Sequence, residues 1–416
     1  MQVMTENKVV PSLRFRDFER EWIQSTLGNE LNYTKGVAFK SNDYTDNGVR
    51  IVRVSDLLSS SIKTNNEKVF ISKDDEYKYL KYKIQKGNII ITTVGSHPDL
   101  IESAVGRGIY ILHNDEGLLN QNMLKLENNN TVNNKFIHSI INSPRYIHYI
   151  KAIKRGNANQ ANITVKELLQ YTISLPPLPE QQKIAAFLSA VDKKLQQLTK
   201  KKGLLEEYKK GVMQKIFSQA LRFKDDNGNN FPDWEEKKLG EELEHKSIRN
   251  KSNQVDLVLS VSNKKGFISQ QEQFDGHQVA SKDVTNYKVV NKGEYAYNPS
   301  RINVGSIARL DDFEKGIVSP MYVIFRLKNN LNPIFFDALY SSHRFKYLIK
   351  IGSSGSVRDS LNFDELEKFD IKLPCIEEQQ KIANFLSSLD SKIALVSTQI
   401  ENTKAFKKGL LQQMFV

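Results

Sequence analysis

A long internal repeat is the feature that most restricts the fold of this 416-residue chain. Residues 175–192 reappear as residues 373–390, and both segments contain Glu-Gln-Gln-Lys-Ile followed by Phe-Leu-Ser. The offset of 198 residues persists to Phe217 and Phe415. Because a repeat of this length indicates one structural unit used twice, we predict two copies of a unit of about 200 residues.

Similarity between the copies is strong at their ends and weak in their middle, which predicts two similar frames around two different centres. The beginning of the chain also resembles the segment that follows the first repeat. The predicted division is an N-terminal segment (1–21) that partly repeats 220–233, a first central domain (22–174), a first helical region (175–219), a second central domain (220–372) and a second helical region (373–416).

The helical regions carry apolar residues at alternating spacings of four and three, which is typical of a coiled-coil seam. The prolines before each region predict where its helix starts, since proline blocks backward extension of a helix. About 35 residues give a rod of about 50 Å. A shared register favours pairing of the two helices, as an antiparallel coiled coil, over separate surface helices. The predicted seam residues are Ile184, Leu188, Val191, Leu195 and Leu198 in the first helix, and Ile382, Leu386, Leu389, Ile393 and Val396 in the second.

The central domains contain short apolar runs separated by Gly, Asn, Asp and Ser, which predict strands and turns. Residues 49–54, 89–94, 257–261 and 321–325 are examples. A helical stretch is predicted near the end of each domain, at 135–152 and 333–351. The predicted fold class is therefore α+β, with two sheet-rich mixed α/β domains in a pseudo-twofold repeat, separated by the two long helices.

The charge balance suggests an acidic partner. Sixty Lys and Arg residues exceed 48 Asp and Glu residues, giving a formal net charge of +12, which favours nucleic acid or another anionic surface as a partner. A single cysteine, Cys375, excludes an intrachain disulfide. The sequence has neither a signal peptide nor a run of about 18 apolar residues, so a reduced, cytoplasmic protein without a membrane partner is expected.

The sequence lacks the motifs of common nucleotide and DNA chemistry. No glycine precedes a lysine, which excludes a Walker A loop. Residues 298–300 depart from the adenine-methylating Asn-Pro-Pro motif, and residues 232–237 place their acidic residues too close together for a nuclease metal site. The seven histidines are too scattered for a metal site. We therefore predict no catalytic residues, no metal and no cofactor bound by this chain.

Polar loops at equivalent places in the two copies are the strongest candidates for binding. Residues 155–162 and 352–358 precede the shared Glu-Leu pair, and residues 92–97 and 298–303 follow corresponding strands. Their side chains are of the types that reach phosphates and base edges. The DNA-binding candidates are Thr93, Ser96, Arg107, Gln121, Asn157, Asn159 and Gln160 in the first copy, and Lys264, Lys265, Asn298, Arg301, Asn303 and Arg358 in the second.

The repeated Leu-Pro…Glu-Gln-Gln-Lys-Ile-Ala segments, each followed by a long helix with a Lys-Lys-Gly-x-x-Gln pattern near its end, resemble the specificity subunit of type I restriction–modification systems. The similarity covers the whole chain. One departure is Cys375-Ile376-Glu377, which stands where the first copy has Pro177-Leu178-Pro179.

The resemblance implies a non-catalytic subunit of a type I deoxyribonuclease and adenine-N6 methyltransferase complex. In that family each target-recognition domain reads one half of a bipartite double-stranded DNA site, while the helices set the spacing and dock two methyltransferase subunits. Two motor-nuclease subunits join the full complex, and S-adenosylmethionine, ATP and Mg²⁺ are expected on those partners. A rod of about 50 Å would separate the half-sites by roughly 15 base pairs.

Two other classes of function remain open at the level of sequence. One is a self-contained enzyme that modifies or cleaves DNA, which would require catalytic residues that the sequence does not reveal. The other is a coiled-coil adaptor that binds only proteins, which the basic charge and the polar loops disfavour.

Overall fold

The computed structural model describes residues 10–100, 104–128, 131–156, 160–263, 265–270, 283–353 and 360–416. The chain forms two compact units, one from residues 1–200 with 398–416 and the other from residues 201–397. Each unit contains one sheet-rich domain and a part of each of two long helices.

The first unit holds a four-stranded sheet in the order β2-β11-β7-β9 and a five-stranded sheet in the order β3-β5-β4-β10-β6. Smaller sheets are β1-β14 and β12-β13-β8. The strands are β1 (Ile23–Thr26), β2 (Leu31–Lys35), β3 (Tyr44–Thr45), β4 (Val49–Val52), β5 (Val69–Ile71), β6 (Lys83–Ile84), β7 (Ile89–Thr92), β8 (Val94–Gly95), β9 (Gly108–Tyr110), β10 (Gly117–Leu119), β11 (Met123–Asn128), β12 (Arg155–Gly156), β13 (Ala161–Asn162) and β14 (Thr172–Leu175). The helices that begin in this unit are α1 (Leu27–Glu30), α2 (Asn134–Ile140), α3 (Pro144–Ile153), α4 (Val165–Leu169) and α5 (Leu178–Phe217).

The second unit holds a four-stranded sheet in the order β16-β23-β20-β21 and the pairs β15-β24, β17-β18 and β19-β22. Its strands are β15 (Glu235–Lys238), β16 (Leu243–Lys246), β17 (Leu259–Ser262), β18 (Gly266–Ser269), β19 (Lys288–Asn291), β20 (Tyr295–Tyr297), β21 (Ile307–Arg309), β22 (Lys315–Val318), β23 (Val323–Leu327) and β24 (Asp370–Leu373). The helices that begin here are α6 (Pro333–Tyr340), α7 (His343–Ser353), α8 (Phe363–Glu367) and α9 (Ile376–Gln413).

The two four-stranded sheets follow one design although their sequences differ. In both, every neighbouring pair is antiparallel, and the strand that comes last in the chain lies between the first and the second. The second strand is buried in each: β7 consists of Ile-Ile-Ile-Thr, and β20 of Tyr-Ala-Tyr. The repeat therefore extends through the centres at the level of fold, and the predicted α+β class is confirmed.

A helical stretch follows the last strand of each sheet, as predicted, and it consists of two successive helices. In the first unit it divides into α2 and α3, because the Ser143 hydroxyl accepts the Tyr146 backbone N–H (3.3 Å) and Pro144 starts a new helix. In the second unit the Ser342 hydroxyl accepts the Phe345 backbone N–H in the same way (3.2 Å). A serine N-cap thus begins α3 and α7.

The long helices α5 and α9 pair as predicted, and within each unit they run antiparallel. In the second unit Val212 and Ile216, late in α5, share a core with Ile382 and Leu386, early in α9. The first unit has the reciprocal arrangement, with the beginning of α5 against the end of α9. Seven of the ten predicted seam residues are buried, while Leu195, Leu198 and Ile393 are half-buried.

Two ion pairs related by the repeat join the helices. Lys209 lies 2.5 Å from Asp390 in the second unit, and Lys407 lies 2.5 Å from Asp192 in the first. Each lysine and each aspartate has its counterpart 198 residues away. The two pairs therefore fix the same antiparallel register.

The start of α5 differs in detail from the prediction. The helix begins at Leu178, so Pro179 lies within its first turn rather than before it. A proline is tolerated there because first-turn N–H groups have no acceptor within the helix.

Candidate nucleic-acid interface

In the first unit, the predicted binding residues meet at one end of the four-stranded sheet. The backbone N–H of Thr93, just after β7, donates to Asn122 O (2.8 Å), just before β11. The N–H of Gly106, just before β9, donates to Thr92 O (2.8 Å). Because neighbouring strands are antiparallel, the end of β7 and the starts of β9 and β11 lie at the same end of the sheet. Thr93, Arg107 and Gln121 are therefore brought together.

The polar loop after α3 lies at the same end of the sheet. Strand β13 pairs with β8, so that Ala161 lies opposite Gly95. The N–H of Ile163 donates to Thr93 O (3.0 Å). Gln160, exposed just before β13, and Ser96, just after β8, are thereby placed in one loop cluster.

Arg107 is the candidate with the most unusual environment in this cluster. Its guanidinium is half-buried, and within the described residues its Nε has no hydrogen-bond partner. Its Nη2 makes one long contact, 3.4 Å, with Pro98 O. Burial lowers the pKa of Arg107, and nearby Asp99 opposes this effect. An arginine with so few protein contacts retains N–H groups that could serve a ligand.

In the second unit, the corresponding end of the four-stranded sheet carries a turn between β20 and β21. Arg301 and Asn303 are exposed on it, while Ile302 between them is buried and anchors the turn. Gly305 ends the turn with a φ of +93°, which favours glycine. The turn therefore presents one cationic and one amide side chain to solvent on a fixed backbone.

Asn298 supports this turn from within. Its side chain is only 8% exposed, and its Oδ1 accepts the Ser300 N–H (3.1 Å). Its backbone N–H donates to Ser306 O (3.1 Å). These two hydrogen bonds of Asn298 fix the shape of the turn. A contact between Asn298 and DNA stays a prediction.

Two further segments lie against this end of the four-stranded sheet. The hairpin β17–β18, with exposed Lys265 at its tip, is held by the Ser306 hydroxyl, which donates to Val261 O (3.0 Å). Leu361, which follows α7 in the chain, donates its N–H to Pro299 O (3.0 Å). The structure thus brings Lys265 close to the turn that carries Arg301. Four candidates, Asn157, Asn159, Lys264 and Arg358, lie outside the described residues.

The repeated Glu-Gln-Gln motif occupies the opposite end of the domain in the first unit. Glu180 is completely buried, and its carboxylate accepts two hydrogen bonds from Arg14, each 2.8 Å long. Gln181 accepts the backbone N–H of Asn133 (2.9 Å), the N-cap of α2, and donates to Pro176 O (2.9 Å). The motif therefore fixes the start of α5 to the N-terminal segment and to α2.

The second unit repeats this arrangement. Glu378, also completely buried, accepts hydrogen bonds from Arg222 (2.9 and 2.8 Å) and from Trp234 Nε1 (3.1 Å). Gln379 accepts the backbone N–H of Asn332 (2.8 Å), which caps α6. Trp234 belongs to the segment that was compared above with a nuclease motif, and its contact with Glu378 is structural.

Sequence reasoning missed the role of Arg14 and Arg222, because their partners lie 166 and 156 residues away. A signal was present, since both arginines belong to the repeated Leu-Arg-Phe segment.

The two ends of each four-stranded sheet thus have different roles, one presenting the polar loops and the other contacting the long helix. Strand β11 runs from the loop cluster at its start towards the Gln181 contact beyond its end, and β23 runs in the same way towards Gln379. Six residues of extended chain in β11 span about 20 Å. The candidate interface therefore lies at the end of each sheet away from its attachment to the long helices.

A duplicated sheet-rich domain, attached to paired long helices and presenting polar loops at its free end, defines a scaffold with two recognition domains. The family model described as type I restriction modification DNA specificity domain matches residues 19–207 and 232–404, and the chain belongs to this family. It is a DNA specificity subunit of a type I restriction–modification system, rather than a catalytic subunit of that enzyme.

Similar proteins agree with this assignment. The chain is 24% identical over 441 residues to the type I restriction enzyme EcoBI specificity subunit of Escherichia coli, covering 94% of this chain and 84% of that protein. The S subunit of the type I restriction–modification system from M. genitalium has the same fold, with a TM-score of 0.59, 16% identity and coverage of 98% and 99% of the two chains. A chain from a structural study of type I R-M complex assembly and conformational transition gives a TM-score of 0.55 at 16% identity, over 94% of this chain and 97% of that one.

No helix in the described parts of the chain combines the length and the apolar character needed to cross a bilayer.

Proposed function

We propose that each sheet-rich domain reads one half of a split, asymmetric DNA site through the loop cluster at the free end of its four-stranded sheet. The observation that carries this proposal is the equivalence of the two sheets. Both present the predicted polar loops at the same end, and both are attached to the long helices at the other.

The chemistry of the exposed loop residues supports contact with DNA. Arg301 and Lys265 have no carboxylate partner among the described residues, so their charges remain available for phosphate oxygens or guanine edges. Gln121, Gln160 and Asn303 are exposed amides, which can pair with adenine. Thr93, Ser96, Arg107 and Asn298 belong to the same clusters, and Asn157, Asn159, Lys264 and Arg358 complete the proposed set.

The second part of the proposal concerns the long helices. They set the distance between the two half-sites and dock two methyltransferase subunits, while two motor-nuclease subunits complete the cleaving enzyme. S-adenosylmethionine, ATP and Mg²⁺ act on those partner subunits. Seam residues such as Leu195, Leu198 and Ile393 remain half-buried in the helix pair, which leaves part of their surface for a partner.

Binding of the cognate DNA by the assembled methyltransferase tests the proposal. Arg301→Ala together with Asn303→Ala should weaken binding to the cognate site by about tenfold or more, since one lost base or phosphate contact is worth about 1–3 kcal/mol. Lys328→Ala with Asn329→Ala is the matched control, because these residues lie at the other end of β23. Equal affinities for the two double variants would contradict the assignment of this sheet end.

A further inference from the structure

The free end of the second four-stranded sheet exposes apolar side chains that contacts with phosphates and polar base edges do not explain. In the described parts of residues 234–332, the large apolar residues that are more than half exposed are Ile248, Val304 and Met321. Each lies within three residues of a strand terminus at this end of the sheet. Single exposed apolar residues are common on proteins, whereas their concentration at one end of a sheet indicates an interaction surface.

Val304 and Met321 lie on two turns that leave the sheet beside the same residue. Tyr297, at the end of β20, pairs with Ile307 at the start of β21 and with Val323 at the start of β23. Val304 precedes Ile307 by three residues, and Met321 precedes Val323 by two. Both apolar side chains therefore belong to the end of the sheet that carries the proposed DNA contacts.

A β-turn with a fixed backbone holds Met321 at the surface. The Tyr322 N–H donates to Ser319 O (3.0 Å), and Pro320 occupies the second position of the turn, which favours the φ of proline. The Tyr322 carbonyl accepts a hydrogen bond from the Lys288 ammonium (2.6 Å). Met321 is 59% exposed on this turn. Its side chain is therefore presented to solvent from a defined position.

Asn298 connects the two turns. Its Nδ2 donates to the Met321 sulfur (3.6 Å), and its backbone O accepts the Arg301 N–H (3.0 Å). Arg301 O in turn accepts the Val304 N–H (3.2 Å). Two apolar side chains and one exposed cation thus share a common support. Such a surface matches an anionic partner that also offers an apolar group.

We propose that Val304 and Met321 contact the 5-methyl group of a thymine in the half-site that the second domain reads. The inference rests on the proposed function, in which base edges contact this end of the sheet. The thymine 5-methyl is the apolar group that base pairs present in the major groove, so apolar side chains at a reading surface have this one matching partner. The unbranched, polarisable side chain of methionine adapts readily to such a contact.

The first domain carries a different side chain at the position of Met321. Gln121 precedes β11 by two residues, as Met321 precedes β23, and the pairing of Met123 with Thr92 matches that of Val323 with Tyr297. Gln121 is exposed, and an exposed amide is suited to adenine rather than to a methyl group. The two domains therefore read different features of DNA at this position.

Replacement of thymine by deoxyuridine tests the inference, because it removes only the 5-methyl group. The probe is a duplex with the cognate site, in which each thymine of the half-site that depends on Arg301 and Asn303 is replaced in turn. Its affinity for the assembled methyltransferase should fall by about fourfold at one position, the value of one buried methyl group. In the Val304→Ala, Met321→Ala variant, the same replacement should leave the affinity nearly unchanged.

Ile334→Ala with Leu395→Ala is the matched control, since these exposed apolar residues lie in the same unit on α6 and α9, away from this end of the sheet. This control should retain the wild-type effect of deoxyuridine. An equal effect of deoxyuridine in the wild type and in the Val304→Ala, Met321→Ala variant overturns the inference. A half-site that contains no thymine on either strand overturns it as well.

The proposed function is tested separately by the Arg301→Ala, Asn303→Ala variant. If that variant loses affinity for the cognate site while deoxyuridine has no effect in any protein, the proposed function stands and only the thymine contact is wrong. If that variant binds the cognate site as tightly as the wild type does, the proposed function fails and this inference fails with it.

Discussion

Two buried glutamates show how single residues hold this molecule together. Glu378 receives hydrogen bonds from both Arg222 and Trp234, and Glu180 receives two from Arg14. Each carboxylate is fully enclosed, while its arginine reaches solvent in part. A buried carboxylate is tolerated only when such donors surround it.

Glu378→Ala should lower the free energy of unfolding by about 2–4 kcal/mol, because it leaves the Arg222 guanidinium and the Trp234 N–H without their acceptor. Urea unfolding of the full chain measures the change. Glu377→Ala, at the exposed neighbouring position, should cost well under about 1 kcal/mol. Similar losses for the two variants would show that the buried ion pair is not what stabilises this segment.

A second residue-scale prediction concerns His138 in α2. Its Nε2 lies 3.2 Å from Gly108 O, and its ring centroid lies 6.0 Å from that of Tyr110. Burial, with a smaller effect of Lys407, lowers the pKa of His138 to about 4, while Asp192 and the hydrogen bond with Gly108 oppose the shift. An unfolded histidine titrates near pH 6.5. Between these two values the unfolded chain binds a proton that the folded chain does not.

Stability should therefore fall as the pH drops from about 6.5 towards 4, by an amount on the order of 2 kcal/mol from this residue. Urea unfolding at a series of pH values would detect this component in the wild type. His138→Gln should lack it, whereas His148→Gln, at an exposed position, should retain it. An identical pH dependence in all three proteins would contradict the account of His138.

At the scale of elements, the paired long helices owe their register to repeated contacts. The Lys209–Asp390 and Lys407–Asp192 pairs occupy equivalent positions, and apolar residues fill the seam beside them. Since the aspartates are about half exposed, the pairs select a register more than they add stability.

Reversing one charge tests this role. Lys209→Asp places two aspartates together and should lower the free energy of unfolding by about 1 kcal/mol or less. The exchange Lys209→Asp with Asp390→Lys should restore most of that loss. Urea unfolding of the two single variants and the double variant gives the coupling energy. A coupling energy of zero would show that the helix register does not depend on this pair.

The long helices could be predicted from the sequence because their signal is local and repeated twice. Seam residues such as Ile184 and Ile382 recur at fixed spacings, and that periodicity belongs to the helix itself. The division of residues 135–152 into two helices was missed, although Ser143-Pro144 carries the signal of an N-cap followed by proline. The order of strands in the sheets was not predictable, because it depends on pairing between distant segments.

At the scale of the whole molecule, the repeat gives two recognition domains of one design with different binding surfaces. Equivalent placement in the two copies identified loops that the structure does bring to one sheet end, such as the segments around Thr93 and Arg301. Burial could not be predicted in the same way: Asn298 belongs to the right turn but lies beneath its surface. The identity of the bases read follows from contacts between side chains and DNA, which no spacing in the sequence encodes.

The modified DNA motif is the most direct test of the central claim that each domain reads its own half-site. Methylome sequencing would compare hosts that express the partner subunits with either the wild-type chain or the Arg301→Ala, Asn303→Ala variant. The wild type should methylate a split motif with two different halves. The variant should relax one half and leave the other unchanged. An unsplit motif in the wild type, or equal relaxation of both halves in the variant, would contradict the account.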